Sequence, residues 1–113
     1  MRNMDYRIVA TKKWLDTYHQ CIDYILYEFG DVDVARKLEA DVEYVLDMLA
    51  SMPESFPVCE SSRLRKRAVR KVHLRRLDYK VFYRIVEEDG VVVLLSLIHD
   101  KQDFENIVGR GKD

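Results

Sequence analysis

The chain has 113 residues, of which 48% are apolar and 35% charged, with four glycines and two prolines. This composition describes one domain over residues 1–113 and excludes a multidomain enzyme, a disordered chain and a collagen-like or repeat protein. No apolar run approaches the roughly 18 residues of a membrane span, and no secretory signal is evident, so we expect a cytoplasmic protein without membrane contact. The isolated cysteines Cys21 and Cys59 predict neither a disulfide framework nor a zinc site.

The N-terminal half predicts one strand and two helices. A short alternating segment is typical of a strand, and Thr11 after it is a suitable N-cap for the first helix. Apolar residues then recur at steps of three and four until Gly30, a natural helix end. A second apolar stripe follows Asp31 or Asp33, either of which can cap it, and Pro53 closes it. The short connection requires an antiparallel helical hairpin.

The C-terminal half changes to the period of strands. An aperiodic segment over residues 52–62 predicts a loop, and three strands follow it, over residues 70–75, 79–87 and 91–98. Asp89-Gly90 indicates a hairpin, and the last strand is apolar on both faces, as in a central strand. We therefore expect an α+β fold of order β-α-α-β-β-β, with a mainly antiparallel sheet under the helical hairpin. The partner of the first strand stays open, and residues 103–108 can add a helical turn.

Charge divides the chain into an acidic and a basic part. Residues 14–62 hold eleven acids and two bases, whereas residues 63–84 hold ten bases and one acid. Strand alternation and proximity predict a shared basic face made of Lys71, His73 and Arg75 on one strand, Lys80 and Arg84 on its neighbour, and His99 with Lys101 after the last strand. Two interpretations remain open: a solvated strand edge that resists aggregation, and a surface for nucleic-acid phosphate or an acidic protein segment.

Several features together resemble the RelE/ParE superfamily, the toxins of bacterial type II toxin–antitoxin systems that serve in plasmid stabilization. They are the order of elements, the Arg-rich strand before Tyr79-Lys80-Val81-Phe82-Tyr83-Arg84, the Met52-Pro53 helix exit, and the closing run Leu97-Ile98-His99-Asp100-Lys101-Gln102-Asp103-Phe104. The resemblance covers about residues 6–108 and leaves 109–113 as a frayed tail. It implies a cognate antitoxin as partner. RelE-like members cut messenger RNA (mRNA) on the ribosome, whereas ParE-like members poison DNA gyrase.

The resemblance to the RNA-cutting members also implies site residues. The catalytic set would be His99, as general acid or base, with the cations Lys71, Lys80 and Lys101. The phosphate- and substrate-binding set would be His73, Arg75, Arg84, Arg67, Arg70 and Phe104. Lys80 and Lys101 stand where arginine is usual, and Phe104 can stack on a base but cannot donate a proton.

Our leading prediction is a metal-independent and cofactor-free mRNA endoribonuclease, or mRNA interferase. The alternatives are a gyrase-binding poison and an inactive relative that binds only the antitoxin. For His99 a purely structural role, hydrogen-bonded to Asp103 or to the backbone at the strand end, is equally compatible with the sequence. The basic run over residues 63–67 either binds phosphate or is a solvent-exposed segment that leads to the next strand.

Overall fold

The computed structural model describes residues 5–101, which form a four-stranded sheet with a helical hairpin on one face. The strands are β1 (Arg7–Ala10), β2 (Arg70–His73), β3 (Tyr79–Val86) and β4 (Val91–His99). The helices are α1 (Lys12–Tyr24), α2 (Val32–Ser51) and α3 (Ser62–Lys66); a π-helical turn (Ile25–Phe29) extends α1, and 3-10 turns lie at Pro53–Ser55 and Glu87–Asp89. The predicted α+β class and element order are confirmed.

The strands lie in the order β1-β4-β3-β2, so β4 is central, as its two apolar faces predict. Strand β1 pairs with β4 in parallel, which answers the question that the sequence left open, and the other two pairings are antiparallel. The β3–β4 register shifts at Phe82 and Tyr83, where Leu95 has no partner of its own. Outside this bulge the faces alternate regularly, so neighbouring residues of one strand point to opposite sides of the sheet.

Local signals fix the ends of the helical hairpin. The Thr11 hydroxyl accepts a hydrogen bond from the Trp14 amide at 3.0 Å, and the Asp31 carboxylate accepts one from the Val34 amide at 3.1 Å. Both are side-chain N-caps of the kind predicted, and Asp31 rather than Asp33 is the cap of α2. Gly30 ends the π-helical turn with φ of 60°, a left-handed conformation that glycine adopts without strain.

The main core lies between the helical hairpin and the sheet. Fully buried Leu38, Val45 and Leu49 of α2 pack in the same cluster as Val81 and Tyr83 of β3. The buried Tyr83 hydroxyl donates a hydrogen bond to the Pro53 carbonyl at 2.6 Å, and burial raises the pKa of Tyr83 to about 12. This contact ties the end of α2 to the sheet.

A smaller second core covers part of the opposite face of the sheet. Cys59, Leu64 and Val69 pack there with Phe82 and Ile98, and Leu64 comes from α3. Helix α3 was not predicted, because five residues are too few to show a helical period. The segment after α2 is therefore a packed cover over the sheet, and not a loop alone.

No helix within residues 5–101 is long and apolar enough to cross a membrane. The helical turn predicted for residues 103–108 and the tail at 109–113 lie outside the described residues.

Candidate functional site

The face of the sheet turned away from the helical hairpin, called the open face below, carries the predicted strand cations. On β3, Lys80 and Arg84 alternate with the core residues Val81 and Tyr83 and so lie on the open face. Lys71 of β2 lies opposite Phe82, a member of the second core, and therefore shares this face. The strand register thus brings three of the predicted cations together.

Lys71 and Lys80 lie close to the same buried thiol, that of Cys59. Burial raises the pKa of the Cys59 thiol, and the charges of Lys71 and Lys80 oppose this shift. The ammonium groups of Lys71 and Lys80 therefore both lie close to the Cys59 thiol, which is buried beneath the open face.

Asp100 places a negative charge at one end of this cationic surface. Its Oδ1 lies 3.8 Å from Lys80 Nζ and 3.9 Å from His73 Nδ1, and His73 lies opposite Lys80 in the register. The Asp100 amide donates to the Asp78 carbonyl at 2.9 Å, which fixes the carboxylate at the strand end. Sequence reasoning missed Asp100 as a counter-ion, although its even spacing from Ile98 on one strand face was the available signal.

Helix α3 adds further cations beside the strand cations. Buried Leu64 anchors the helix on the open face, whereas Arg63, Arg65 and Lys66 are exposed and Arg67, which follows the helix, is half-buried. The Arg65 guanidinium donates to the Glu60 carbonyl at 3.0 Å. The basic run that the sequence left undecided is thus fixed to the same side of the sheet as the strand cations.

Arg75 and Arg70 do not lie among these cations. Strand β2 ends at His73, and the Arg75 guanidinium lies 4.4 Å from the centre of the Tyr44 ring on α2. The expectation that Arg75 shares a face with Lys71 is therefore wrong, because the chain turns toward α2 before Arg75. The Arg70 guanidinium donates to the Phe56 carbonyl at 2.5 Å, so it braces the preceding loop.

His99 lies on the helix side of the sheet and not on the open face. It stands opposite Tyr79, with the two rings edge to face and their centres 5.0 Å apart. Its Nδ1 accepts a hydrogen bond from the Lys101 amide at 3.1 Å, which corresponds to the structural role that the sequence kept open. The alternative partner, Asp103, and the predicted stacking residue Phe104 lie outside the described residues.

His99 lines an apolar groove between α1 and the end of the sheet. The groove has a volume of about 770 Å³ and is lined by Thr17, Gln20, Cys21, Tyr24, Ile25, Phe29, Val34, Leu77, Asp78, Tyr79, Leu97, Ile98, His99 and Lys101. Burial raises the pKa of Cys21 to about 11 and that of Tyr79 to about 12, so both stay neutral at pH 7.

Exposed aromatic side chains extend this groove over the tip of the helical hairpin. Tyr27 is 83% exposed, Phe29 68% and Tyr24 54%, and the Tyr24 and Phe29 rings meet edge to face. The apolar stripe predicted to run up to Gly30 ends on Phe29, but the π-helical turn alters the angular step between residues and leaves the Phe29 ring in solvent. An exposed apolar surface of this kind is typical of a protein-binding site.

The sheet separates the groups that the sequence grouped into one site. Lys71, Lys80 and Arg84 lie on the open face, whereas His99 lies on the opposite face, in the groove. A general acid or base must come within hydrogen-bond reach of the reacting atom that the cations stabilise. The described arrangement keeps His99 on the far side of the sheet from Lys71 and Lys80, two cations of its predicted catalytic set, whereas the third, Lys101, lines the groove with His99.

One protein family matches the sequence over most of its length. The family model described as the ParE toxin of the type II toxin–antitoxin system parDE matches residues 5–104. No curated protein matches the sequence.

Three solved structures illustrate the likeness of fold. The chromosomal ParDE system of P. aeruginosa has a TM-score of 0.67 at 16% identity, covering 83% of this chain and 95% of that one. The RelBE2 complex of Mycobacterium tuberculosis has a TM-score of 0.60 at 23% identity, covering 87% and 94%. The isolated E. coli RelE toxin has a TM-score of 0.55 at 17% identity, covering 93% and 97%. At these identities the structural likeness establishes the fold alone.

Proposed function

Because this chain belongs to the ParE toxin family of type II toxin–antitoxin systems, we propose that it arrests growth by binding DNA gyrase and that it does not cut RNA. The chain is the toxin of its pair, and the question is which target it attacks. RelE-like cleavage of mRNA on the ribosome and ParE-like poisoning of gyrase are the two activities that the superfamily implies for this fold.

The position of His99 is the observation that supports gyrase over mRNA. RNA cleavage of the predicted kind needs an acid–base group and a cation clamp at the same phosphate. His99 contacts Tyr79 in the groove, and Lys80 lies on the other side of the sheet, paired with Asp100. A toxin that acts by binding a protein requires no such convergence.

The cognate antitoxin is the proposed occupant of the apolar groove. Solved relatives of this fold include complexes of a toxin with its antitoxin, such as RelBE2 of M. tuberculosis. The groove beside Tyr24 and Phe29 offers a concave apolar surface, whereas the exposed face of α2 carries more acids than bases. We expect an apolar segment of the antitoxin to fill it.

A supercoiling assay with purified gyrase and relaxed plasmid tests the target. We expect the toxin to block supercoiling and the antitoxin to restore it. His99→Ala is the matched variant: it should inhibit gyrase within about twofold of the natural chain, because no proton transfer is needed. Unchanged supercoiling at a large molar excess of folded toxin would overturn the proposal.

A further inference from the structure

The open face holds cations that the described structure leaves unpaired. Within residues 5–101, Arg63 and Lys66 of α3 and Lys71 and Arg84 of the strands make no ion pair and no side-chain hydrogen bond. Like charges held on one surface repel one another, and an anionic partner relieves that repulsion. The surface therefore fits a partner that supplies several negative charges.

Within the described residues, this surface lacks exposed aromatic residues and any cluster of exposed apolar ones that could anchor a protein partner. Of the large apolar residues that are exposed in the described chain, Val9 of β1, which pairs with Val93, lies on the open face, and the others lie on the helical hairpin and its exit. Tight protein interfaces depend on buried aromatic or aliphatic anchors at their centre. An acidic protein segment would find charge on the open face, with the single valine Val9 in place of such an anchor.

The absence of exposed aromatic rings from the described part of the open face disfavours single-stranded nucleic acid as its partner. Proteins hold unpaired bases by stacking them on exposed aromatic rings. Phe82, the aromatic residue of β3 that points to the open face, is only 3% exposed because α3 and its neighbours cover it. Exposed rings such as those of Tyr24 and Tyr27 lie on the helical hairpin instead. A polyanion recognised by its phosphates alone remains, and duplex DNA is such a polyanion, with about one charge per 1.7 Å of axis.

We propose that the open face, together with α3, binds the sugar-phosphate backbone of duplex DNA without reading its bases. Leu64 holds α3 against the sheet, and the turn after α3 is fixed by hydrogen bonds from the Ala68 amide to Arg65 and from the Val69 amide to Leu64. Ala68 adopts φ of 57°, a conformation costly for alanine that the surrounding hydrogen bonds maintain. The α3 cations are therefore held in place before DNA arrives.

Asp100 limits this binding at the far end of the surface. Its carboxylate already neutralises Lys80 and lies beside His73, so the α3 end carries most of the free charge. Removing the carboxylate should release Lys80 for a phosphate. The inference does not rest on gyrase as the target, although a toxin that holds duplex DNA would be brought to an enzyme that acts on DNA.

The test measures fluorescence anisotropy of a labelled 24-base-pair duplex with the toxin, in the absence of gyrase, over a range of salt concentrations. The double variant Arg63→Gln with Lys66→Gln should weaken binding at least tenfold at low salt. It should also reduce the slope of log K against log salt by about 1.8, since each lost phosphate contact contributes about 0.9. Asp100→Asn should strengthen binding several-fold.

The matched control is Arg36→Gln with Lys37→Gln, which removes the same charge from exposed cations of α2 and should change affinity by less than about twofold. If both double variants lost the same affinity for DNA, the loss would depend on net charge alone and not on the position of the cations, and the proposal would be overturned. Tighter binding to the single strand, or to a glutamate-rich peptide of matched charge, would overturn it as well, as would no binding to the duplex. Because gyrase is absent, failure here leaves the supercoiling result to be judged separately.

Discussion

The two sides of the sheet differ in what they offer a partner. The groove side presents aromatic rings such as Tyr27 and Phe29 beside an apolar concavity, and helix α2 carries more exposed acids than bases. The open side presents cations such as Lys66 and Arg84, and within residues 5–101 its strands and α3 carry one large exposed apolar residue, Val9 of β1. One sheet thus separates a surface suited to an apolar protein segment from a surface suited to a polyanion. The difference shows that residues close in sequence need not form one site.

The largest expected effect concerns the two cores that lie on either side of the sheet. Leu38→Ala in the main core should lower the free energy of unfolding by about 4 kcal/mol, because α2 cannot close the cavity. Leu64→Ala in the second core should cost about 2 kcal/mol, because α3 is short and can move inward. Urea denaturation measures both. Equal losses would contradict the division into a main and a smaller core.

The next effect concerns the turn that directs the chain away from the open face. Asp41 on α2 is 2% exposed and accepts hydrogen bonds from Arg76 Nε at 2.9 Å and the Arg76 amide at 3.0 Å. Arg76→Ala leaves this buried carboxylate with fewer donors and should cost about 2–3 kcal/mol. Arg36→Ala, an exposed cation of the same helix layer, should cost less than about 0.5 kcal/mol. Similar losses in the two variants would show that the Asp41 contact contributes little.

A smaller effect is expected on the affinity for the antitoxin, which should depend on the groove and not on the open face. Tyr24→Ala should weaken antitoxin binding about tenfold, because it removes an aromatic wall of the groove. Tyr44→Ala, an aromatic residue of similar exposure outside the groove, should change it by less than about twofold. Neither variant should alter binding to duplex DNA. Calorimetry with the antitoxin gives the first result, and a change in DNA affinity would contradict the separation of the surfaces.

The smallest effect lies within the main core and depends on pH. Tyr83→Phe should cost about 1 kcal/mol at pH 7, because the Pro53 carbonyl loses its donor. The pKa of Tyr83 is about 12 in the folded chain and near 10 when unfolded, so folding favours the neutral phenol. Its contribution is therefore complete below pH 10 and is lost as pH rises toward 12. The phenylalanine variant should lose less stability over that range in urea titrations, and an identical pH profile would contradict the assignment.

The sequence predicted most of the fold because its local signals agree with one another. Thr11 and Gly30 mark helix ends, and the apolar run of β4 marks a central strand. It did not predict α3, whose position depends on long-range packing of Leu64 against Phe82. Short helices of this kind are set by tertiary contacts and leave no period to detect.

The candidate site was less predictable than the fold. Alternation correctly placed Lys71 with Lys80, but the end of β2 at His73 moved Arg75 toward α2. For His99 the same alternation, counted along β4 from Leu97, would have indicated the helix side. His99 was predicted to be catalytic from its residue type and its place at a strand end. The face of the sheet on which it lies determines which groups it can contact.

The most direct test of the central claim is the integrity of mRNA in a translating extract supplied with the toxin. The separation of His99 from Lys71 and Lys80 predicts full-length message at toxin concentrations that block gyrase. Cleavage at ribosomal A-site codons, slowed about 100-fold by His99→Ala and by Lys71→Ala, would contradict the account, since both groups would then act on one phosphate.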